Sequence, residues 1–581
     1  MPDTSIQEMV LSNDYADFIL PVLSSTASFL ENYQEMGAQI FGGRLGMIHV
    51  PRTSILFSNM ASYSQIPKLF TLLDTTSLED TGIIKVQEQP GLSYTGKDVI
   101  LGFIDTGIDY TLDIFRKRNG ETRILGIWDQ TIPGENPSSD LGYGTVYTAE
   151  DINLALSSEN PYDIVPSYDE NGHGTFLAGC AAGNKEESEG FTGAAPNADI
   201  VVVKLKTAKQ YLKDFFLIQG DAPCYQETDI MMGIKYMVIQ SVLQEKPLVL
   251  CLGLGTNQGD HNGTSPVERL LAFYINYINL FSVTAAGNEA GKAHHFFSPA
   301  RTDTNSVTAQ ISVDSSDEGF VFEIWGNSPG LYGVSITSPL GETIPRIPPR
   351  QETTSSFRFL AERSSVEVTY EISEYGSGSQ LIFIRLLYPT PGIWNITVST
   401  TSHSIGPFHI WLPVTGFISP DTIFLNPSPD VTLTAPSCTE ATITTGCYNA
   451  YDGSLYIHSS RGFTRNGSIK PDFCAPGVNV YGPDISSLTL QDGKVVSFRP
   501  PLKAFRRDTG SSVSAAITAG AVALLINWSL DRIYQGSPAI TNRLANTYLI
   551  RGAKRQNNLI YPNTQWGYGK LNLFGIFENL M

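Results

Sequence analysis

DVILGFIDTGID, residues 98–109, is a short apolar run that ends on a carboxylate and breaks at a Thr-Gly turn. A run of four to eight apolar residues closed by turn residues predicts a strand buried on both faces. Three more such runs follow: DIVVVKL (199–205), PLVLCLGL (247–254) and LFSVTAAG (280–287). Between them lie two helical patterns, DIMMGIKYMVIQSVL (229–243) and SPVERLLAFYINYI (265–278). The second starts well, with Ser265 as N-cap, Pro266 at N1 and Glu268 three residues after the cap. Strands alternating with helices predict a parallel sheet covered on both faces, an α/β fold.

The alternation stops near residue 305. SVTAQISV, GFVFEIWG, GLYGVSITS, SVEVTYEIS, SQLIFIRLL, GIWNITVS and PFHIWLP are short period-two runs separated by Gly, Pro and Ser. They predict an antiparallel sandwich or jelly roll. EATITTGCY then resumes a core strand, and 512–527 reads as a buried helix. The first residues form a further αβ unit: ADFILPV, a helical stretch near 26–36, RLGMIHVP, a helical stretch near 53–61, and IPKLFTLLD. The division expected is 1–75 for the N-terminal αβ domain, 76–304 and 431–581 for the two parts of the α/β domain, and 305–430 for an inserted β-sandwich.

At 581 residues the chain is too long for a single core. Hydrophobic residues make up 41% and charged residues 16%, a globular balance. With 38 basic and 57 acidic side chains the net charge is −19, which argues against nucleic acid as a partner. None of the six cysteines forms a CxxC pair, and no zinc spacing occurs. The N-terminus lacks the basic and apolar regions of a Sec signal. The longest apolar run, AAITAGAVALLINW (515–528), is shorter than the roughly 20 residues of a spanning helix, so no membrane span is expected. Synthesis in the cytoplasm follows as the expected location.

Three stretches carry chemistry together. FIDTGID puts Asp105 at a strand end, NGHGTFLAG puts His173 at a helix start, and TGSSVSAAITAG puts Ser512 at the start of an apolar helix. A serine hydroxyl is a weak nucleophile and needs a base. A neutral imidazole can take its proton and return it to a leaving amine. A buried carboxylate holds the imidazole tautomer and stabilises the imidazolium. The helix N-terminus adds a positive dipole at Ser512. TAAGNEAG puts Asn288 just after a strand, where its amide can donate to an oxyanion together with the Ser512 N–H.

The order Asp, His, Ser is that of subtilisin. With DTGID, GHGT, AAGN, CAPGV and GSSVSAA in register, the chain resembles the subtilisin-like serine proteases over 98–300 and 440–527. That resemblance implies a serine endopeptidase with Asp105, His173 and Ser512 as triad and Asn288 in the oxyanion hole. It also assigns Gly253, Leu254 and Gly255 to the edge that pairs with extended substrate, and Ala285, Ala286 and Gly287 to the S1 wall. Pro476 is expected to shape a tight turn. The chain departs from the family pattern at Phe176, Ser511, Ala516 and Ile517, none of which is a catalytic group.

IWDQT, VVVKLKTAKQYL, CLGLGTNQGDHNGTSP, WGNSPGLYG, FHIWLP, SSRGFTRNGSIKPDFCAPGVNVYGP and WGYGKLNL further resemble the Csp-type subtilases of clostridia and related spore formers. In that group a jelly roll is inserted in the protease domain. An N-terminal prodomain acts as an intramolecular chaperone, is cut by the enzyme itself and can stay bound. The best understood members cleave the proform of a cortex-degrading hydrolase in germinating spores. The resemblance thus implies a protein substrate of that kind, the chain's own prodomain as a partner, and packaging in the spore. Self-cleavage is expected between about 70 and 80, beside the extended, apolar IPKLFTLLD. A general endopeptidase is the first alternative. A non-catalytic germination sensor or scaffold is the second, and the complete triad speaks against it. The triad requires no cofactor. A structural calcium, which many subtilases carry, is not indicated by any DxDxDG loop, and His294-His295 reads as an exposed loop pair rather than a metal site. The jelly roll is expected to rigidify the protease.

Overall fold

The computed structural model describes residues 5–23, 25–54, 63–72, 80–134, 141–220, 222–276, 279–351, 354–501, 504–533 and 539–580. An eight-stranded sheet carries the α/β part. Its strands run in the order Phe473–Pro476, Ile443–Tyr448, Leu280–Ala285, Leu248–Leu252, Ile100–Asp105, Asp199–Lys204, Ile124–Asp129 and Thr145–Thr148. Every neighbouring pair is parallel except the last. Every residue of Ile100–Asp105 is buried, as expected for a strand covered on both sides.

The pleat sorts side chains into two cores. Leu101, Phe103, Val249 and Cys251 pack with the helices His173–Ala182 and Ser511–Ile533. Ile100, Ile104, Leu248 and Leu250 pack with the helices Glu227–Leu243 and Pro266–Ile275. The second of these starts as its sequence predicts, with the Ser265 N–H donating to Glu268 at 3.2 Å. Ser511–Ile533 runs 23 residues, longer than its apolar stretch suggests, and is long and apolar enough to cross a membrane. Its most apolar window is 83% buried inside the protein, which accounts for its being apolar on every side.

The inserted sandwich has two antiparallel sheets. One is ordered His295–Ser298, Phe408–Trp411, Gly319–Gly326, Gln380–Leu387, Ser365–Glu371 and Thr354–Arg358. The other is ordered Thr343–Ile347, Gly333–Thr337, Gly392–Ser399, Ser306–Val313 and Ile423–Phe424. Phe322, Ile384, Trp394 and Val398 lie in the core between them. Thr343–Ile347 and Thr354–Arg358 carry no strand signal in the sequence pattern. Both are edge strands with mostly exposed or half-buried residues, so little apolar alternation marks them.

The N-terminal unit is a three-stranded antiparallel sheet, ordered Tyr15–Pro21, Leu45–Pro51 and Gln39–Gly42, with the helices Ile6–Leu11 and Thr26–Asn32. The helical stretch expected near 53–61 falls largely outside the described residues. Asp17 fastens the unit to the α/β part. Its carboxylate takes His49 Nδ1 at 2.5 Å, Lys209 Nζ at 2.8 Å and Gln226 Nε2 at 2.7 Å. Burial pushes the Asp17 pKa up, but Lys209 and His49 outweigh it and hold the carboxyl well below its usual range.

His294 and His295 are not an exposed loop pair. Both are buried, and His295 begins a sandwich strand. His261 stacks on Trp411 at 4.0 Å between ring centroids, Trp411 on His295 at 4.7 Å, and His295 on His409 at 5.2 Å. This ladder joins a loop of the α/β part to the sandwich. Burial lowers His261 to about 4, and the nearby Arg465 works in the same direction. In an unfolded chain the same ring titrates near 6.5. Folding therefore favours neutral His261, and that advantage is lost as pH falls from 6.5 towards 4. The stability gap between the wild type and His261→Gln should narrow by about 2 kcal/mol between pH 7 and pH 5, measured from urea unfolding midpoints. A gap independent of pH would contradict a neutral buried ring.

Candidate active site

Asp105 closes a central strand with neighbours on both sides. Its Oδ1 accepts from the Thr106 N–H at 2.8 Å and from His173 Nδ1 at 2.8 Å. His173 is the first residue of its helix, after Gly172 at φ +85°. Gly174 then has to be glycine: a Cβ there would lie 2.2 Å from the Gly107 carbonyl oxygen. Two groups outside the expected set hold this turn. Asp169 accepts from the Gly172 N–H at 2.8 Å, and from the Thr175 N–H at 2.9 Å and hydroxyl at 2.7 Å. Thr106 Oγ1 accepts from the Gly174 N–H at 3.0 Å. Asp169 thus does the work of an N-cap from three residues before Gly172.

Ser512 is the second residue of its helix, and its Oγ lies 3.2 Å from His173 Nε2. Asp105, His173 and Ser512 are each under 10% exposed. Ser511, which replaces the usual threonine, keeps the hydroxyl in use: its Oγ accepts from the Gly287 N–H at 3.1 Å. The Ser511 N–H donates to Asn288 Oδ1 at 3.0 Å. That bond fixes the amide's orientation, with Oδ1 as acceptor and Nδ2 as the free-turned donor end. Gly510 donates its N–H to Gly477 at 2.7 Å, and Ser514 Oγ donates to Ala475 at 3.0 Å. CAPG therefore braces the serine turn. Pro476 itself ends a parallel strand rather than shaping a turn, because its backbone continues the ladder opposite Tyr448.

Phe176, in the usual histidine position, is covered by the Arg506 guanidinium 5.3 Å from its ring centre. Arg506 also donates to the Gly172 carbonyl at 3.2 Å. Ala516 and Ile517 are fully buried in the core beside the sheet.

The cleft edges follow. A Cβ on Gly253 would lie 3.0 Å from Ser512 Cβ and 3.3 Å from His173 Cε1. Leu254–Gly255 is a two-residue strand. The segment Leu69–Leu72 pairs antiparallel with it, Leu72 opposite Leu254 and Thr71 opposite Gly255. On its other side Leu69–Phe70 pairs with Tyr225–Gln226. The chain's own segment thus lies as a middle strand between two edges. Ala285 ends the Leu280–Ala285 strand, Ala286 packs on Leu433 and Cys438, and Gly287, at φ +107°, turns into Asn288. Among the described residues no group of three or more His, Cys, Asp or Glu side chains is placed to hold a metal ion.

The sequence profile of the Subtilase family matches residues 96–405 and 425–569. The structure of the Clostridium perfringens CspB protease is similar to this chain with a TM-score of 0.73 and 30% identity, over 86% of this chain and 97% of that one. The serine protease AprX of Bacillus subtilis is 24% identical over 292 residues, 48% of this chain and 55% of AprX. The major intracellular serine protease of B. subtilis is 26% identical over 221 residues, 38% of this chain and 52% of that protein. The chain spans about half the length of these two curated relatives. On the matched profile, and on a neighbour aligned over nearly its whole length, the chain belongs to the subtilase family of serine proteases.

Proposed function

We propose that this chain is a serine endopeptidase in which Ser512 is the nucleophile, His173 the general base and Asp105 its orienting carboxylate. The observation that carries the proposal is the continuous line from Asp105 Oδ1 through His173 to Ser512 Oγ, at 2.8 and 3.2 Å. Ser512 attacks the scissile carbonyl as its proton passes to His173 Nε2. Asp105 keeps the Nδ1–H in place and stabilises the imidazolium. The tetrahedral oxyanion accepts from the Ser512 N–H and Asn288 Nδ2. His173 then gives its proton to the leaving amine, and water hydrolyses the acyl-enzyme by the same steps in reverse. Every step uses groups of this chain together with one water molecule.

The first substrate is the chain's own N-terminal segment. Main-chain pairing of Leu69–Leu72 with Leu254–Gly255 supports this, because extended peptides dock on such edges as an added strand. The cut falls within a few residues after Leu72, on residues outside those described. Asp80, where the description resumes, is held by Tyr448 and Lys554. The two sides of the cut are anchored separately, which supports a prodomain that stays bound. Resemblance to the Csp-type subtilases supports a spore protease that activates the proform of a cortex hydrolase.

Three measurements test this. Intact mass should show the wild type as two pieces, the smaller of about 75 residues, and Ser512→Ala as one whole chain. Two whole chains would sink the autoprocessing reading. Asn288→Ala should lower kcat by about 10²–10³, the cost of a lost oxyanion donor in subtilisin itself, with KM little changed. Gly253→Ala puts a methyl 3.0 Å from Ser512 Cβ and 2.7 Å from Leu177 Cδ1. A shift of this kind, up to about 1 Å, costs about 10²-fold in rate. That loss should appear in kcat with the thermal midpoint nearly unchanged.

A further inference from the structure

Just before the Leu69–Leu72 strand, the chain buries a lysine. Lys68 is 3% exposed. Its Nζ donates to the carbonyls of Tyr63 at 2.8 Å and Ile66 at 2.7 Å, and sits 3.9 Å from the centre of the Tyr63 ring. A buried ammonium is unfavourable unless its surroundings carry opposite charge. Here they do. Glu227 of the α/β part accepts from the Lys68 N–H at 3.1 Å and donates its own N–H to the Lys68 carbonyl at 2.8 Å. Burial lowers the Lys68 pKa overall, and Glu227, followed by Glu323, Glu374 and Glu371 from the sandwich, opposes it and favours the charged ammonium. All four carboxylates are buried.

The same residues grip the segment through Tyr63. Its hydroxyl donates to Glu323, its N–H donates to Glu371, and its ring rests between Trp325 and Phe383 at 6.1 and 5.5 Å. Glu323 is itself fixed by the Gly259 N–H and Trp325 Nε1, each at 2.9 Å. Two other cations border the site and are engaged elsewhere. Arg269 lies over Tyr375, and Arg465 lies over Trp325 and donates to the Asp260 carbonyl. With Asp260, five acids face Lys68, Arg269 and Arg465. If the segment leaves, five acids face two cations. Burial already pushes Glu323 up to about 7 and raises Glu227. Another segment that brings a cation restores the balance, and without one the acids must take up protons.

We infer that the substrate cleft extends past the paired edges into a carboxylate pocket, built jointly by the α/β part and the sandwich, that selects a basic side chain three residues before the one opposite Gly255. The inference rests on the reading of the Leu254–Gly255 edge as substrate-binding. It gives the inserted sandwich a part in specificity. The substrate class is a polypeptide with lysine or arginine at that place, followed by an apolar extended run like Leu69–Leu72.

Self-cleavage of the full chain tests it, comparing wild type, Lys68→Arg and Lys68→Met by intact mass over time. Lys68→Arg should convert within about threefold of the wild type and Lys68→Met at least tenfold slower. A Lys68→Met chain that converts as fast as wild type overturns the pocket and leaves the protease reading intact. A wild type that stays whole overturns the protease reading and the pocket with it. Should Lys68→Met lack a cooperative thermal transition, the double variant Lys68→Met/Glu227→Gln decides. It removes one buried carboxylate together with the cation. Recovered folding and conversion support charge matching as the role of Lys68, and no recovery overturns it.

Discussion

Position 174 carries no Cβ, and the site depends on that. The His173 helix reaches the Asp105 strand end so closely that any side chain there would overlap the Gly107 carbonyl. The same helix is bare again at Gly179, where a Cβ would lie 2.2 Å from Pro483. Pro483 belongs to the short strand paired with Phe505–Asp508, which leads directly to the Ser512 turn. One helix is thus pressed against Asp105 on one side and against the approach to Ser512 on the other. Close packing leaves few ways for such contacts to relax. The 3.2 Å between His173 and Ser512, residues 339 apart in sequence, follows from these two glycine contacts more than from any single bond.

The parts of this arrangement that were legible in sequence share a cause. Catalytic and backbone constraints demand particular residue types at particular local spacings, so DTGID, GHGT, AAGN and GSSVSAA announce themselves. Long apolar strands and capped helices do the same for the parallel sheet. What was not legible depends on partners distant in the chain. Asp169 could have been suspected from YDENGHGT, since an acid just before a helix start is a capping signal. Nothing local marks Arg506, which covers Phe176 from 330 residues away, or Glu323, which receives Tyr63 across 260. His294 and His295 look like a polar loop in isolation. They are buried because Glu289 accepts from His294 at 2.7 Å and because Trp411 stacks on His295.

The contacts between units combine apolar packing with buried charge. One apolar cluster joins Phe18 and Ile48 of the N-terminal unit, Leu212 and Phe216 of the α/β part and Trp325 and Phe383 of the sandwich, and buried charge crosses the same junctions: Asp17 with Lys209, and Glu227 with the Lys68 N–H. Such groups add little net stability over an apolar interface, yet removing one partner costs roughly 3–5 kcal/mol. Such pairs therefore narrow the ways in which the units can dock. The paired Leu69–Leu72 segment gains from that, because slipping by one residue would reverse every side chain along the strand.

The point of insertion explains why the sandwich shares in the site. Its first strand begins at His295, seven residues after Asn288, and the chain returns to the parallel sheet only at Ile443. The residue after Asn288 is already tied to the insert. Glu289 accepts from the Thr415 N–H at 3.2 Å and from Asn257 Nδ2 at 3.1 Å, so one carboxylate spans the sandwich and the loop that continues from Leu254–Gly255. Burial would raise its pKa, but His294 and the hydrogen bonds from Thr415 together outweigh it and hold the carboxyl below its usual range. An insert placed at a remote loop could have varied without touching the chemistry. Placed here, it contacts the residue after Asn288, the loop after Leu254–Gly255 and the groups around Lys68 at once.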